Sequence, residues 1–475
     1  MNALDRLIAW VSPRSAVDRA RNRLALKHYE AADKGRRLSG RARVGGDANG
    51  AMRGKQTASA EAARDLVRNN AWAAKGLACI VNNTVGYGIT SEPSHPNKAR
   101  AKRLREAFRK WAGSRGAHAA GQLDWFGIQA LALRGVVESG AVLVVEVGDA
   151  SGMSLRVLER EFLDTSKGAQ GIEYDSRGRP SGYWIYDAHP GDPDARATIA
   201  STRYSADRVA HVYRIDRPGQ RDGITWFAPV VLDLHDLDGY EDAVLLRAKM
   251  AACKVDYVIA PESITQGWTV SDRQEPGATE IVPFGTEIKS TPAPDSGDYV
   301  PFTKQRLRRT AAGLGISYEA FTGDLSEVNY SSGRMGWQEF QRNIDGWLWQ
   351  MLIPMLVDRV SAWFLDYAVM GGILTRQEAA GVTWQHNPPR RAVVDPAKEY
   401  PAIRDAIRSG LMTLPEALRD MGKTFDVQMA EHAEANKELD RLGVIVESDA
   451  RRGMNAGNSP ASEPASPAGS AANEA

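Results

Sequence analysis

The 475-residue sequence predicts an α+β fold, and three observations carry that prediction. Residues 141–147 (AVLVVEV) and 182–185 (GYWI) are short β-branched or aromatic runs bounded by turn residues, the pattern of strands. Residues 58–84, 97–111, 125–138, 226–250 and 337–348 repeat apolar side chains at spacings of three and four, the pattern of helices. The strand runs cluster within residues 141–215 instead of alternating singly with helices, so the sheet is expected to be mostly antiparallel.

In chain order, residues 1–55 carry thirteen Lys and Arg against five acids and are rich in small residues, which predicts a basic, extended or partly disordered arm. Residues 58–84 read as one strong helix, stopped by Gly86 and Gly88. Residues 97–111 read as a second, with Leu104, Phe108 and Trp111 on one stripe and a run of Lys and Arg elsewhere. That run is read as a solvated face rather than a phosphate surface. Residues 125–138 form a third helix. Strands follow at 141–147, 154–158, 171–174, 182–185 and 207–215, with a turn at 175–178. A long helix occupies 226–250, acidic in its first half and basic near its end, as the helix dipole favours. Residues 254–300 read as short strands and turns.

The stretch from 303 to 349 is the most distinctive. Leu307, Ala311 and Leu314 keep helical spacing up to Gly313 and Gly315. A polar loop follows, with Gly323, Asp324, Ser326, Glu327, Asn329, Tyr330, Ser331, Ser332 and Gly333. Trp337, Phe340, Ile344 and Trp347 then resume the helix. The expectation is a mobile polar loop between two stiff helices. Residues 383–399 read as a proline-rich link, 399–443 as two short helices, and 446–475 as a disordered tail.

Bulk composition excludes several classes. A net charge of +1 rules out a polyanion binder by bulk charge alone. Cys79 and Cys253 stand far apart in sequence, so no disulfide framework is expected and a reducing compartment fits. Asp5 and Arg6 interrupt the first apolar run, which argues against a signal peptide. Pro354, Asp358, Arg359 and Asp366 break 347–374, which is therefore not a membrane span. No His pair has HxxxH or HExxH spacing and no CxxC exists, so neither a catalytic nor a metal site is expected. Gly422-Lys423-Thr424 lacks the earlier glycine of a phosphate loop, since Ala417 stands in its place, and Gly422 reads as a helix cap. Asp324 and Glu327 are read as turn residues and solvated charges rather than metal ligands. No cofactor is expected.

Four stretches resemble the portal proteins of tailed bacteriophages, lambda type: ARDLVRNNAWAAKGLACIVNNTVGYGI (63–89), RTAAGLGISYEAFTGDLSEVNYSSGRMGW (309–337), WQHNPPRRAVVDPAKE (384–399) and GLMTLPEALRDMG (410–422). The resemblance covers about residues 58–444. It implies a ring subunit, in rings that are typically dodecamers, with a wing (56–225), a first stem helix (226–253), a β-containing clip (254–302), a second stem helix (303–315), a tunnel-loop region (316–333), a long wing helix and link (334–398), a helical crown (399–445) and the tail (446–475). It implies a non-enzymatic conduit for double-stranded DNA at one capsid vertex of the virion, assembled in the bacterial cytoplasm and without membrane contact. Its implied partners are further copies of itself, the terminase large subunit, the major capsid protein and head-completion or adaptor proteins. Under this resemblance Asp324, Ser326, Glu327, Asn329, Tyr330, Ser331 and Ser332 line the channel. Arg306, Arg308 and Arg309 on the second stem helix are then expected either to face the channel or, as the preferred reading, to pair between subunits with Asp236, Asp238 and Asp242 on the neighbouring first stem helix. The rival readings are a metal-dependent nucleic-acid-processing enzyme using Asp324 and Glu327, and a head–tail adaptor without a channel.

Overall fold

The computed structural model describes residues 46–149, 152–194, 200–252, 256–260, 279–283, 299–391 and 395–444. Most of the basic arm, most of the 254–302 segment and the C-terminal tail lie outside the described residues, and so do the expectations made for them. The chain divides into two compact units. The first comprises the N-terminal residues through Arg53 together with Arg217–Arg221. In it, α1 (Ala48–Met52) is capped by Asp47, which accepts from the Gly50 N–H. Asn49 stitches the two segments: its Nδ2 donates to the Gly219 carbonyl at 3.0 Å, and its Oδ1 accepts from the Arg221 N–H at 2.9 Å.

The second unit comprises Gly54–Asp216 and everything from Asp222 onward. It opens with α2 (Gln56–Asn69) and α3 (Ala71–Thr84). The single helix expected over 58–84 is thus two. Asn70 leaves the helical region (φ −110°, ψ 121°), and its side chain accepts from the Ala73 N–H, the action of a strong N-cap. β1 (Thr90–Ser94) follows, then α4 (Lys98–Ala112) and α5 (Trp125–Ser139). Fully buried Trp125, Ile128 and Leu133 seat α5 in the main core.

Six strands in two sheets form the middle of the unit. β2 (Ala141–Asp149) lies between β3 (Gly152–Glu159) and β7 (Val209–Tyr213), antiparallel to both. β5 (Pro180–Tyr186) lies between β4 (Ile172–Tyr174) and β6 (Ser201–Ser205). The antiparallel expectation holds in both sheets. β2 is buried on both faces: Val142 and Val144 enter the main core, while Leu143 and Val145 enter a second core under the β4–β6 sheet. That explains its unbroken apolar run, since a strand covered on both faces has no polar side to alternate. β6 was not expected, and its mostly exposed residues explain why no pattern announced it.

Trp226 and Phe227 are fully buried just before α6 (Val231–Ala252). β8 (Asp256–Ala260) and β9 (Thr279–Pro283) pair in parallel. α7 (Tyr299–Leu314) starts earlier than its spacing indicated. After the short α8 (Tyr318–Thr322), a continuous helical rod comprises α9 (Tyr330–Trp347), a π-helical segment (Leu348–Val357) and α10 (Asp358–Met370). Pro354 lies inside the π segment. A proline has no N–H and clashes with the preceding turn of an α-helix, and the wider π turn is a known way to keep such a helix continuous.

The segment 383–399, read from sequence as a proline-rich link, contains β10 (Thr383–Asn387), which pairs with β1. After the short α11 (Arg376–Ala379) and β10, the described residues end in three helices rather than two: α12 (Pro396–Arg408), α13 (Leu414–Asp420) and α14 (Phe425–Leu442). The break between the last two carries Gly422 at φ +68°, the capping role read for it from sequence. Among these three helices only Ala417 is buried. No described helix is long and apolar enough to cross a membrane.

Candidate functional site

The site is the turn between α8 and α9, and α7 builds its floor. Leu307, Thr310, Ala311 and Leu314 bury one face of α7. Gly313 lets that face approach Val230 closely, since a Cβ there would lie 2.3 Å from Val230 Cγ1. Gly315, at φ +72°, ends the helix, and α8 follows with Ser317 as its N-cap. Phe321 is fully buried beside Trp72, with ring centroids 5.7 Å apart. The chain then turns at Gly323 (φ +77°).

Two corrections to the expected loop follow. Phe321 belongs to the core, and Tyr330, Ser331, Ser332 and Gly333 belong to α9, so only residues 323–329 are non-helical. The turn is also organised by its own side chains. Asp324 Oδ1 accepts from the Ser326 N–H (3.0 Å) and hydroxyl (2.6 Å), and Asp324 Oδ2 accepts from the Tyr318 hydroxyl (3.1 Å). Those hydrogen bonds, the Ser326 hydroxyl foremost, hold the Asp324 carboxyl below its usual range. Glu327 receives Lys304 Nζ at 2.7 Å and Arg308 Nη2 at 3.4 Å, and the Lys304 contact holds its pKa down likewise. Lys304 also stands 3.8 Å from Asp324. The two acids of the loop are therefore balanced by two cations on α7. Lys304 was missed in the sequence because it lies upstream of the arginine run, yet one helical turn separates it from Arg308.

Within the chain, two of the arginines have a partner that the sequence did not indicate. Arg306 Nη1 and Arg309 Nε reach the two oxygens of buried Asp233, at 2.8 and 3.0 Å. Their i, i+3 spacing puts both on one face of α7, and Asp233 sits in the first turn of α6, where negative charge is favoured. Asp238 accepts instead from Asn70 Nδ2 (2.7 Å). Asp236 and Asp242 are exposed and, among the described residues, outside any ion pair.

Other charge clusters are internally satisfied. On α4, Arg105 and Arg109 meet Glu92 at 2.8 Å each, and Arg100 meets Glu378 at 2.7 Å, so much of the basic run pairs with acids of the same chain. Glu92 also accepts from the Thr424 hydroxyl (3.0 Å), and Arg105 reaches Asp426 (3.3 Å), fastening α14 to α4.

Two groupings have the composition of a chemical site, and each is engaged in contacts of its own. Glu159, Glu161 and His189 bring one donor atom each within 4.8 Å of one another. However, His189 Nδ1 accepts from the Gly191 N–H (2.9 Å), so in the neutral ring the proton is on Nε2, which lies 3.2 Å from Glu159. A metal-bound imidazole needs the opposite arrangement. Arg64 meanwhile supplies positive charge to Glu161 at 2.9 Å. In the second grouping, Ser91 Oγ lies 2.8 Å from His386 Nδ1, and His386 Nε2 lies 2.8 Å from Asp358. The order is that of a nucleophilic triad. Yet Ser91 is 6% exposed and faces His386 directly across the β1–β10 pair, so its hydroxyl is engaged in a buried cross-strand contact.

Comparison with known proteins agrees with the resemblance. The chain is 25% identical over 425 residues to a protein named as a probable portal protein of Halomonas phage phiHAP-1 (Gulf of Mexico isolate), covering 80% of each chain. Among solved structures it is similar to a chain from the neck of an empty gene transfer agent particle (14% identity, 76% of this chain and 93% of that one, TM-score 0.42). A chain from the virion of the native particle is similar to the same degree (15% identity, 77% and 93%, TM-score 0.41). The family model for phage portal proteins of the lambda family matches residues 34–347, and the chain belongs to that family.

Proposed function

We propose that copies of this chain assemble into a ring, a dodecamer by family resemblance, at one capsid vertex, and that the ring is a non-enzymatic conduit for double-stranded DNA during packaging and ejection. The family match over residues 34–347 carries this reading. In it, residues 56–225 with the rod form the wing, α6 and α7 the stem, 254–302 the clip, and α12–α14 the crown. The clip docks the terminase large subunit and later the head-completion proteins, while the major capsid protein surrounds the ring.

The turn 323–329 faces the channel. A conduit must let duplex DNA slide, and every phosphate it neutralises adds salt-dependent affinity, multiplied by the subunit count. The turn itself offers DNA no Lys or Arg, and its acids are already balanced by Lys304 and Arg308. Such a surface neither grips nor strongly repels a polyanion. Between subunits, exposed Asp236 and Asp242 complement Arg308 and Arg309 of a neighbouring copy. Arg308 and Arg309 also pair with Glu327 and Asp233 of their own subunit, but at 44% and 68% exposed they reach outward more than Arg306, which is 30% exposed, or Asp238, which meets Asn70.

Negative-stain imaging and native mass spectrometry test the ring: closed rings are expected, and a monomer under all conditions overturns it. Deleting 325–328 tests the turn, with rings retained and DNA packaging or retention impaired. Normal packaging by that variant refutes the channel assignment.

A further inference from the structure

α4 carries seven Lys and Arg and a single acid, Glu106, in a chain whose net charge is only +1. A helix that is merely solvated usually interleaves both signs. Part of the excess is neutralised within the chain, where Arg100 meets Glu378 and Arg105 and Arg109 share Glu92. The other four cations, Lys98, Lys102, Arg103 and Lys110, are all exposed. Lys102 has only Glu106, at 3.9 Å and with both side chains mostly in solvent. Among the described residues, Lys98, Arg103 and Lys110 enter no ion pair. At 3.6 residues per turn the four fall within an arc of about 140°, on one face, and they span about 18 Å of the helix.

This placement works against the helix itself. No acid stands in the first turn of α4, where the dipole favours negative charge, and Lys98, Arg100, Lys102 and Arg103 crowd that end instead. Lys98 and Lys102 are also like charges at the i, i+4 spacing, which costs a further fraction of a kcal/mol. Anionic groups laid over the first turns offset both costs. A small anion cannot reach cations spread over about 18 Å, but a polyanion can. Duplex DNA carries one charge per about 1.7 Å of its axis, so over that length it presents about ten phosphates.

We propose that this face of α4 binds the phosphate backbone of double-stranded DNA without sequence preference. The choice of DNA among polyanions rests on the conduit reading; the surplus of charge does not. The face is separate from the turn 323–329, whose acids are balanced by Lys304 and Arg308, so one part of the chain holds DNA and another lets it slide. The test uses the full chain and a short fluorescent duplex of mixed sequence, with affinity read by anisotropy between about 50 and 200 mM salt. Lys98→Gln, Lys102→Gln, Arg103→Gln and Lys110→Gln together should reduce the slope of log affinity against log salt by about three, equally for a second, unrelated duplex. Glu106→Gln, which frees Lys102, should tighten binding about threefold. An unchanged slope in the fourfold variant, no tightening by Glu106→Gln, or a change confined to one duplex sequence overturns the proposal. Unchanged duplex binding with lost binding of polyglutamate assigns the face to an acidic protein and overturns it too. Negative-stain imaging of the same variants reports on the conduit reading separately: closed rings with an unchanged slope discard the α4 surface alone, and a changed slope without rings keeps the surface and discards the ring.

Discussion

Lys304 on α7 places its ammonium 2.7 Å from the carboxylate of Glu327, across the base of the turn that precedes α9. With Arg308 on the same oxygen, this contact fastens an acidic turn to a basic helix. Replacing Lys304 with Ala removes the shorter contact. Amide exchange over 323–329 should then quicken by about threefold, the scale of a partly exposed ion pair. Half-molar salt should reproduce most of that change in the native chain. Unchanged exchange would show that the Asp324–Ser326 hydrogen bonds suffice alone.

Asp233 is the second anchor of α7. It is buried and holds Arg306 and Arg309 together. Asp233→Ala leaves two guanidinium groups without their anion. Because Arg309 is 68% exposed and can turn to water, the cost should be about 2 kcal/mol, below that of a fully buried pair. Urea denaturation reads it, and Asp233→Asn should recover part of the loss by keeping hydrogen-bond acceptance.

Asp164 gives a pH-dependent prediction. Burial alone raises its pKa, but hydrogen bonds from Ser166, Ser201 and Tyr186 outweigh burial and hold the carboxyl far below the usual range. A depressed folded pKa stabilises the protein above the unfolded pKa of about 3.9, and the contribution falls away as pH drops below it. The stability difference between native chain and Asp164→Asn should therefore be constant from pH 7 to 5, then shrink by about 1 kcal/mol by pH 3. A gap that is the same at pH 5 and pH 3 contradicts it.

Glu92 joins the start of α14 to the body of the chain, taking Arg105, Arg109 and the Thr424 hydroxyl. Since α12–α14 bury little apolar surface, this polar contact should govern how firmly α14 sits. Glu92→Ala should make limited proteolysis at 421–424 faster by about an order of magnitude, with little change elsewhere, as expected when a weakly packed element opens locally. Cleavage at native rates would show that another contact holds α14.

The long helices, the doubly buried β2 and the polar turn after α8 were legible because each rests on local patterning. Asn70 announced its break as a paired asparagine, but the apolar spacing on either side concealed it. β1 and β10 were not legible. Pro93 and the prolines after Asn387 disguise them, and each is a strand only because the other, almost 300 residues away, pairs with it. The partners of the arginines were half legible. Charge and helical phase narrowed the choice, but burial selected Asp233 over Asp236 and Asp242, and burial depends on the packed fold.

The two-sided burial of β2 has a consequence for how that strand finds its place. In most sheets a one-residue slip is rejected because it turns apolar side chains to water. Here a slip would exchange Val142 and Val144 with Leu143 and Val145, apolar for apolar, and hydrophobicity would scarcely object. The stop must come from the backbone. Gly140, at φ +94°, lies where a Cβ would come within 2.5 Å of the Ile224 carbonyl carbon. Only a glycine fits at that point, so the strand is indexed from its first residue, and Gly140→Ala should trap misaligned sheets rather than simply weaken the aligned one.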